Sequence, residues 1–298
     1  MGRELAERFP IAAQTFAEAD EALGFAISRL CFDGPEEELR LTENTQPAIM
    51  TVSVAAARVL AEQGVTPALA AGHSLGEWSA HVIAGTFSFA DAVRAVKARG
   101  RAMQQAVPAG RGAMAAVLAL DAKQVIEACQ EAARETGLTV QAANLNSPNQ
   151  TVISGATAAV ERAAALCKER GARRAVMLPV SAPFHCALMQ PAQEEVARAL
   201  GGLAMHDAKI PVAANVTGGL VTTADAARDA LTRQVTGAVR WVDCVQALKA
   251  AGADVFVEVG PGKVLCGLLK QIDPELRSLN VEDAASLEKT VAELKGDT

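Results

Sequence analysis

The stretch AAGHSLGEWSAHVIAG, residues 70–85, places a serine between two glycines at a predicted junction of strand and helix. The run ALAAG, residues 68–72, is short, apolar and ends in glycine, which predicts a buried strand, and a helical pattern follows it. The G-x-S-x-G spacing around Ser74 is that of a nucleophile elbow, a sharp turn that exposes a serine hydroxyl. The motif alone leaves a catalytic serine and an ordinary turn residue as alternatives, and the strand-to-helix context favours the first.

Strand and helix patterns divide the chain into two parts. Between residues 109 and 179 the order is β-α-β-β-α-β, which is typical of a ferredoxin-like unit. The flanking segments, 1–108 and 180–298, alternate strands with helices as in a larger α/β body. We therefore expect an α/β protein in which 1–108 and 180–298 form an α/β-hydrolase-like catalytic subdomain. The inserted segment, 109–179, is predicted to form a small ferredoxin-like subdomain.

Helix end signals predict individual elements of the larger part. A helix is expected over 45–64, with Pro47 in its first turn. A main-chain N–H in the first turn has no acceptor within the helix, so the missing N–H of proline costs no hydrogen bond there. Ser88 is expected to cap the helix over 88–106. The segment 260–272 predicts the last clear helix of the chain.

Composition and charge exclude several classes of protein. Half of the 298 residues are hydrophobic, and the net charge of −6 argues against an extended nucleic-acid or anionic-membrane surface. The charged start MGRELAERFP has no apolar signal-peptide region, and no run approaches the ~18–20 apolar residues of a membrane span. The six cysteines form no C-x-x-C pair, so we expect reduced thiols, no metal site and a cytoplasmic location.

A serine nucleophile needs a general base, and the chain offers four histidines: His73, His81, His185 and His206. His73 adjoins the serine, but neighbouring side chains at an elbow generally point apart. His185, in PVSAPFHCALM, follows a predicted strand and precedes a helix, where α/β enzymes place functional groups. A lone histidine is more often structural, but its presence in a chain with an elbow serine favours His185 as the base.

Arg99 lies on the predicted helix that follows the elbow helix. A guanidinium near the serine could hold a carboxylate in a bidentate clamp. The alternative is a solvated side chain like those expected for its neighbours Arg94, Lys97 and Arg101.

Taken together, the motifs resemble one family, the malonyl-CoA:acyl carrier protein transacylases, which are related to the acyltransferase domains of polyketide synthases. The matching segments occur in family order and span nearly the whole chain: TQPAIMTVSVA, AGHSLGEWSAHVIAG, FADAVRAVKARGRAMQQAVP, GAMAAV, ANLNSPNQTVISG, PVSAPFHCALM, IPVAANVTG and EVGPGKVL. A generic serine esterase would share only the elbow.

The resemblance implies transfer of a malonyl group from malonyl-CoA to the phosphopantetheine thiol of acyl carrier protein, through a malonyl ester of Ser74. It implies that His185 is general base and then general acid, oriented by the main-chain carbonyl of Gln234 rather than by an aspartate. Arg99 would pair with the free malonyl carboxylate, and the Leu75 N–H would bind the oxyanion. No cofactor is implied beyond the pantetheine of the two substrates, and we expect a monomer.

Three further residues are expected to shape the pocket. Phe184, directly before the histidine, resembles the malonyl-selective acyltransferases, whereas those with serine there tend to take methylmalonyl. Contacts with one methyl group are worth ~1–3 kcal/mol, enough for a preference. Asn146, in the ANLNSP turn, and Met103 are expected to line or support the pocket.

The family opens with a strand and a G-Q-G-S-Q loop whose first glutamine supplies an oxyanion-hole N–H, and this sequence begins just after that loop. We therefore expect the chain to keep the fold but to catalyse poorly without that segment, since one lost donor costs about 10²–10³ in turnover. Two other functions stay open. A serine thioester hydrolase or esterase would need no carboxylate clamp, and a non-catalytic carrier-binding protein would tolerate loss of Ser74.

Overall fold

The computed structural model describes residues 1–180 and 182–296. The α-helices are α1 (Arg3–Arg8), α2 (Pro10–Leu23), α3 (Ile27–Asp33), α4 (Glu36–Leu39), α5 (Thr42–Glu62), α6 (Leu75–Ile83), α7 (Phe89–Gln105), α8 (Ala122–Thr136), α9 (Thr157–Glu169), α10 (Gln190–Gly201), α11 (Ala224–Gln234), α12 (Trp241–Ala250), α13 (Val264–Ile272) and α14 (Ala284–Lys295). The strands are β1 (Ala70–Ala71), β2 (Gly112–Leu118), β3 (Val140–Ser147), β4 (Gln150–Ala156), β5 (Arg174–Met177), β6 (Val212–Ala213), β7 (Leu220–Val221), β8 (Val255–Val259) and β9 (Arg277–Val281). Ser181, within the PVSAPFHCALM motif, lies outside the described residues.

An antiparallel four-stranded sheet forms within the predicted segment 109–179. Its strand order, β3-β4-β2-β5, is that of a ferredoxin-like unit, as predicted. On α8 the buried residues recur every three or four positions, so the helix has one apolar face, and α8 and α9 together cover one face of the sheet. On its other face the sheet packs Met114, Ala143 and Val152 against Phe184. This second face is therefore turned toward the segment that carries His185.

The larger part has the parallel strand pairs of an α/β protein. β1 pairs in parallel with β6, β7 joins β6 in antiparallel orientation, and β8 pairs in parallel with β9. Helix α5 is buried over most of its length and packs against α2, α6 and α7. A parallel bridge between Asn144 and Val239 connects β3 of the small sheet with the larger part. No helix in the described part of the chain is both long and apolar enough to cross a membrane.

Several element boundaries differ from the prediction. Helix α5 begins at Thr42, so the expectation that Pro47 lies in the first turn is wrong, and Pro47 is buried in the helix interior. Burial of this helix against its neighbours outweighs the local preference of proline for a first turn. The chain also continues beyond the predicted last helix, since β9 pairs with β8 and α14 follows with a capping box formed by Asp283 and Ser286. The Ser88 cap of α7 is confirmed, because its hydroxyl accepts a hydrogen bond from the Asp91 N–H.

The turn between β1 and α6 brings two glycines into contact. A Cβ atom on Gly72 would lie 1.9 Å from the carbonyl carbon of Gly76, whereas a Cβ atom on Gly76 would meet no atom within 4 Å. Between them Ser74 has φ 53° and ψ −104°. Such a conformation costs a non-glycine residue about 1–3 kcal/mol. The close approach at Gly72 is therefore what allows the sharp turn that presents Ser74.

We expect Gly72→Ala to lower the free energy of unfolding by about 3 kcal/mol, because the added methyl group overpacks the turn. The matched control is Gly76→Ala, which should raise the free energy of unfolding by about 0.5–1 kcal/mol, since alanine is favoured over glycine in a helix. Urea unfolding followed by circular dichroism measures both. Equal stability of the two variants would contradict this account of the turn.

Candidate active site

Ser74 and His185 form a hydrogen-bonded pair. The Ser74 Oγ lies 2.7 Å from His185 Nε2, and His185 Nδ1 lies 2.9 Å from the main-chain carbonyl oxygen of Gln234. Because a carbonyl oxygen only accepts, Nδ1 carries the hydrogen and Nε2 presents its lone pair to the serine hydroxyl. The imidazole is thereby held in the tautomer that can remove a proton from Ser74.

Helix α7 carries Arg99 into the protein interior, where the side chain is 1% exposed. Its Nη1 donates to Gln46 Oε1 at 2.7 Å. Its Nη2 donates to Gln234 Oε1 at 2.9 Å and to Ser74 Oγ at 3.0 Å. The solvated alternative for Arg99 is therefore wrong, whereas Arg94 on the same helix is exposed and paired with Asp91.

Burial sets the protonation states of the site. Burial first, and the nearby charge of Arg99 second, lower the pKa of His185 to about 3. His185 is therefore neutral at pH 7, as a general base must be. Burial also lowers the pKa of Arg99 to about 10, so the guanidinium stays charged at pH 7.

The main chain at Ser74 is held by two buried amide side chains. The Ser74 N–H donates to Asn215 Oδ1 at 2.7 Å, and the Ser74 carbonyl accepts from Gln234 Nε2 at 2.9 Å. Asn215 Nδ2 also donates to the Gly72 carbonyl at 2.8 Å. Leu75 is the first residue of α6, so its N–H has no acceptor within that helix and lies directly beside the serine. This N–H is in place to bind an oxyanion formed at Ser74.

Asn146 contacts His73, the residue that precedes Ser74. The Nε2 of His73 lies 2.8 Å from Asn146 Oδ1, and Asn146 Nδ2 donates to Gln150 Oε1 at 2.8 Å. Burial lowers the pKa of His73. Asn146 therefore orients the histidine that precedes Ser74, and no hydrogen bond between Asn146 and Ser74 occurs among the described residues.

Met103 and Phe184 border the site from two directions. Met103 is 2% exposed, and its Sδ lies 3.8 Å from Gln46 Nε2, on the glutamine that holds Arg99. Phe184 is partly buried and packs against both the core of the larger part and the open face of the small sheet. Met103 thus supports the arginine, and Phe184 lies where the two parts of the protein meet.

The structure separates the other two histidines from the serine. His81 is buried on α6, with Nδ1 3.0 Å from Thr86 Oγ1, and burial lowers its pKa to about 4. His206 is exposed, and its N–H donates to the Thr86 carbonyl. Neither of them contacts the reactive pair.

Sequence reasoning missed three buried polar residues of the site, namely Gln46, Glu77 and Asn215. Gln46 and Glu77 lie inside motifs that carried the family resemblance, TQPAIMTVSVA and AGHSLGEWSAHVIAG, but no role was assigned to either residue. Asn215 follows β6, and the carboxyl end of a parallel strand is where α/β proteins place functional groups. Asn215 also lies in the motif IPVAANVTG of the resemblance, so its motif and its position after the strand were both available signals.

Comparison with known proteins places the chain among acyltransferases. The family model described as "Acyl transferase domain" matches residues 1–296. The malonyl CoA-acyl carrier protein transacylase of Escherichia coli (strain K12) is 48% identical over 285 residues, which cover 95% of this chain and 92% of that protein.

Two solved structures share the fold at high identity. An acyl carrier protein S-malonyltransferase from Vibrio cholerae O1 biovar eltor has a TM-score of 0.95 and 48% identity, covering 97% of this chain and 94% of that one. A malonyl-transacylase in complex with its type II PKS acyl-carrier protein has a TM-score of 0.95 and 46% identity, covering 98% and 94%. The family model matches 1–296 of the 298 residues, and a serine, a histidine and an arginine are hydrogen-bonded at the elbow, so the chain belongs to the acyl transferase family.

Proposed function

We propose that the protein transfers a malonyl group from malonyl-CoA to the phosphopantetheine thiol of an acyl carrier protein, through a malonyl ester of Ser74. The observation that carries this proposal is the buried Arg99 guanidinium, which donates to Ser74 Oγ at 3.0 Å beside the base His185. The names of the relatives, and the complex of one of them with its acyl-carrier protein, support the same reaction.

Arg99 is the group that selects a diacid. A guanidinium has five N–H donors, and Arg99 contacts Gln46, Ser74 and Gln234 as acceptors. Its Nε–H is buried and has no partner among the described residues. The free carboxylate of a malonyl group supplies both the missing acceptors and the opposite charge, and an acetyl group supplies neither. A simple hydrolase has no use for such a buried cation, so hydrolysis is not favoured.

In the first half-reaction His185 Nε2 takes the Ser74 hydroxyl proton as Oγ attacks the thioester carbon of malonyl-CoA. The Leu75 N–H stabilises the oxyanion, and the Gln234 carbonyl stabilises the imidazolium through Nδ1–H. When the C–S bond breaks, His185 returns its proton to the sulfur of CoA. The products are free CoA and the malonyl ester of Ser74.

The second half-reaction repeats these steps with the carrier thiol. His185 takes the proton from the phosphopantetheine thiol, whose sulfur attacks the ester carbon. The proton then passes to Ser74 Oγ as the ester bond breaks, which regenerates the serine. Acyl transfer through serine needs only a nucleophile, a base and an oxyanion donor, so the reaction uses no cofactor.

Binding of the malonyl carboxylate also strengthens the base. In the free protein burial is the main cause of the low pKa of His185, and the charge of Arg99 is the second. A carboxylate paired with Arg99 offsets that charge, and the pKa of His185 rises toward its ordinary value. The substrate that fits the clamp therefore makes its own acylation easier, which an acetyl group does not do.

The remaining features of the proposal are the roles of Phe184, Met103 and Asn146, the oligomeric state and the cellular location. The Phe184 ring would disfavour a methyl branch on the α-carbon, because it lies next to His185 and is packed from both sides. Met103 supports the clamp through Gln46, and Asn146 supports the elbow through His73. The residues that carry the proposed reaction come from one chain, so a single copy supplies all of them. We further propose that the enzyme acts as a monomer in the cytoplasm, where both thioester substrates are available.

The proposed reaction predicts malonyl transfer from malonyl-CoA to holo acyl carrier protein, with His185→Ala slower in acylation by about 10²–10⁴ because the positioned base is lost. Rapid quench and mass spectrometry of the carrier measure it. The exposed His206→Ala is the matched control and should match the parent. Release of free malonate without carrier in place of transfer would contradict the proposal, as would a fully active His185→Ala.

Replacing the clamp should change the choice of substrate. In Arg99→Ala we expect kcat/KM for malonyl-CoA to fall by about 10–100-fold, the worth of a hydrogen bond to a charged group, while transfer from acetyl-CoA gains relative to it. The control is Arg94→Ala on the exposed side of the same helix. Initial rates with both thioesters check the prediction. Unchanged selectivity in Arg99→Ala would remove Arg99 from substrate recognition.

A further inference from the structure

Beneath the elbow lies a buried carboxylate that the mechanism above does not use. Glu77, in the first turn of α6, is 0% exposed. Its Oε2 accepts from Gln234 Nε2 at 2.6 Å and from the main-chain N–H of Asn215 at 3.0 Å. Burial raises the pKa of Glu77 to about 7, while these hydrogen bonds and the charge of Arg99 act in the opposite direction.

The two partners of Glu77 are the residues that hold Ser74. Asn215 accepts from the Ser74 N–H, and Gln234 donates to the Ser74 carbonyl. Gln234 also accepts from Arg99 through its side chain and from His185 through its main chain. The Oε2 of Glu77 therefore contacts both residues that hold Ser74. One of these two, Gln234, also accepts hydrogen bonds from the proposed base and from the arginine.

Glu77, together with the Ser74 carbonyl and Arg99, fixes which way the Gln234 amide faces. The Oε2 of Glu77 acts as an acceptor for the Asn215 N–H, and the Ser74 carbonyl only accepts, so the amide NH₂ must point toward these two groups. The amide oxygen then points to Arg99, which only donates. With the amide reversed, its oxygen would face two acceptors and its NH₂ would face the guanidinium. The hydrogen bonds of the Gln234 side-chain amide to Arg99, Ser74 and Glu77 would then be lost together.

A buried carboxylate at this position lowers the stability of the fold. Burying a carboxylate costs free energy, and replacing buried charged groups with apolar side chains is often neutral or stabilising. The Oε1 of Glu77 has no hydrogen-bond partner among the described residues. The buried carboxylate therefore costs folding free energy, and its two partners, Asn215 and Gln234, are the residues that hold Ser74.

We propose that Glu77 is a positioning residue of the malonyl-transfer site, acting through Gln234 and Asn215 to hold Ser74 in place and to fix Arg99 against the substrate carboxylate. This inference rests on the proposed function. It assigns to Glu77 no contact with substrate. Its effect is on the geometry of the serine and on the preference for malonyl over acetyl groups.

The test compares three variants at one position. Glu77→Gln keeps an acceptor oxygen at the same reach, Glu77→Asp withdraws the carboxylate by one methylene group, and Glu77→Met removes the acceptor. The control is Ser79→Ala on the same helix, since the Ser79 hydroxyl is buried and has no partner among the described residues. The readout is the ratio of kcat/KM for malonyl-CoA to kcat/KM for acetyl-CoA. This ratio does not depend on the fraction of folded protein.

We expect the ratio to fall by about tenfold in Glu77→Asp and Glu77→Met, and to stay within about threefold of the parent in Glu77→Gln and Ser79→Ala. Should Glu77→Met fail to fold, Glu77→Asp and Glu77→Gln decide the matter. Equal ratios in the parent and in Glu77→Asp would overturn the inference, because a merely structural carboxylate lowers both activities alike. A fall in Glu77→Gln as large as in Glu77→Asp would also overturn it. A parent without malonyl transfer would refute the proposed function as well, whereas a selective parent with unresponsive variants would refute only the role of Glu77.

Discussion

The active site depends on the main-chain hydrogen bonds that hold Ser74 in a strained conformation. With φ 53° and ψ −104°, this serine lies where non-glycine residues pay about 1–3 kcal/mol. Asn215 binds its N–H and Gln234 binds its carbonyl, so the strain is balanced by two buried hydrogen bonds. The conformation turns the hydroxyl toward His185 and leaves the Leu75 N–H free at the start of α6. The positions of the nucleophile and the oxyanion donor therefore share one local cause.

The second constraint is electrostatic. Arg99, His185 and Glu77 are buried together. Burial lowers the pKa of Arg99 and His185 and raises that of Glu77, and each shift favours the neutral form of the group. Burial, and second the positive charge of Arg99, keep the His185 imidazole neutral in the free protein, and in the proposed reaction a bound carboxylate offsets the charge of Arg99. A diacid thus improves the electrostatics of the site that it enters. The same arrangement explains why one buried arginine can serve both substrate selection and base strength.

Much of the fold followed from local patterns. The β-α-β-β-α-β order predicted the four-stranded sheet, and the apolar run before Gly72 predicted the strand-to-helix turn, because each pattern is set by nearby residues. The start of α5 and the elements β9 and α14 were not predicted, since their formation depends on packing against distant parts of the chain. The two-residue strand β1 is also shorter than the apolar run 68–72 suggested.

The site shows the same division. A spacing motif indicated Ser74, its position between a predicted strand and a helix favoured His185 as the base, and the family resemblance gave Arg99 its role. By contrast, the position of Glu77 in the first turn of a helix is typical of an exposed acidic residue that interacts favourably with the helix dipole. Only the tertiary structure reveals that Glu77 is buried beneath the serine. The Gln234 side chain was likewise missed, since the resemblance assigned a role to its main-chain carbonyl alone.

The central claim, that Ser74 is the residue that carries the malonyl group, is tested most directly by mass spectrometry after brief mixing with malonyl-CoA and acid quenching. Intact mass followed by peptide mapping locates the adduct. The account predicts a single malonyl group on the peptide that contains Ser74, and no adduct in Ser74→Ala. An adduct on another residue of the parent, or none on folded protein, would contradict it.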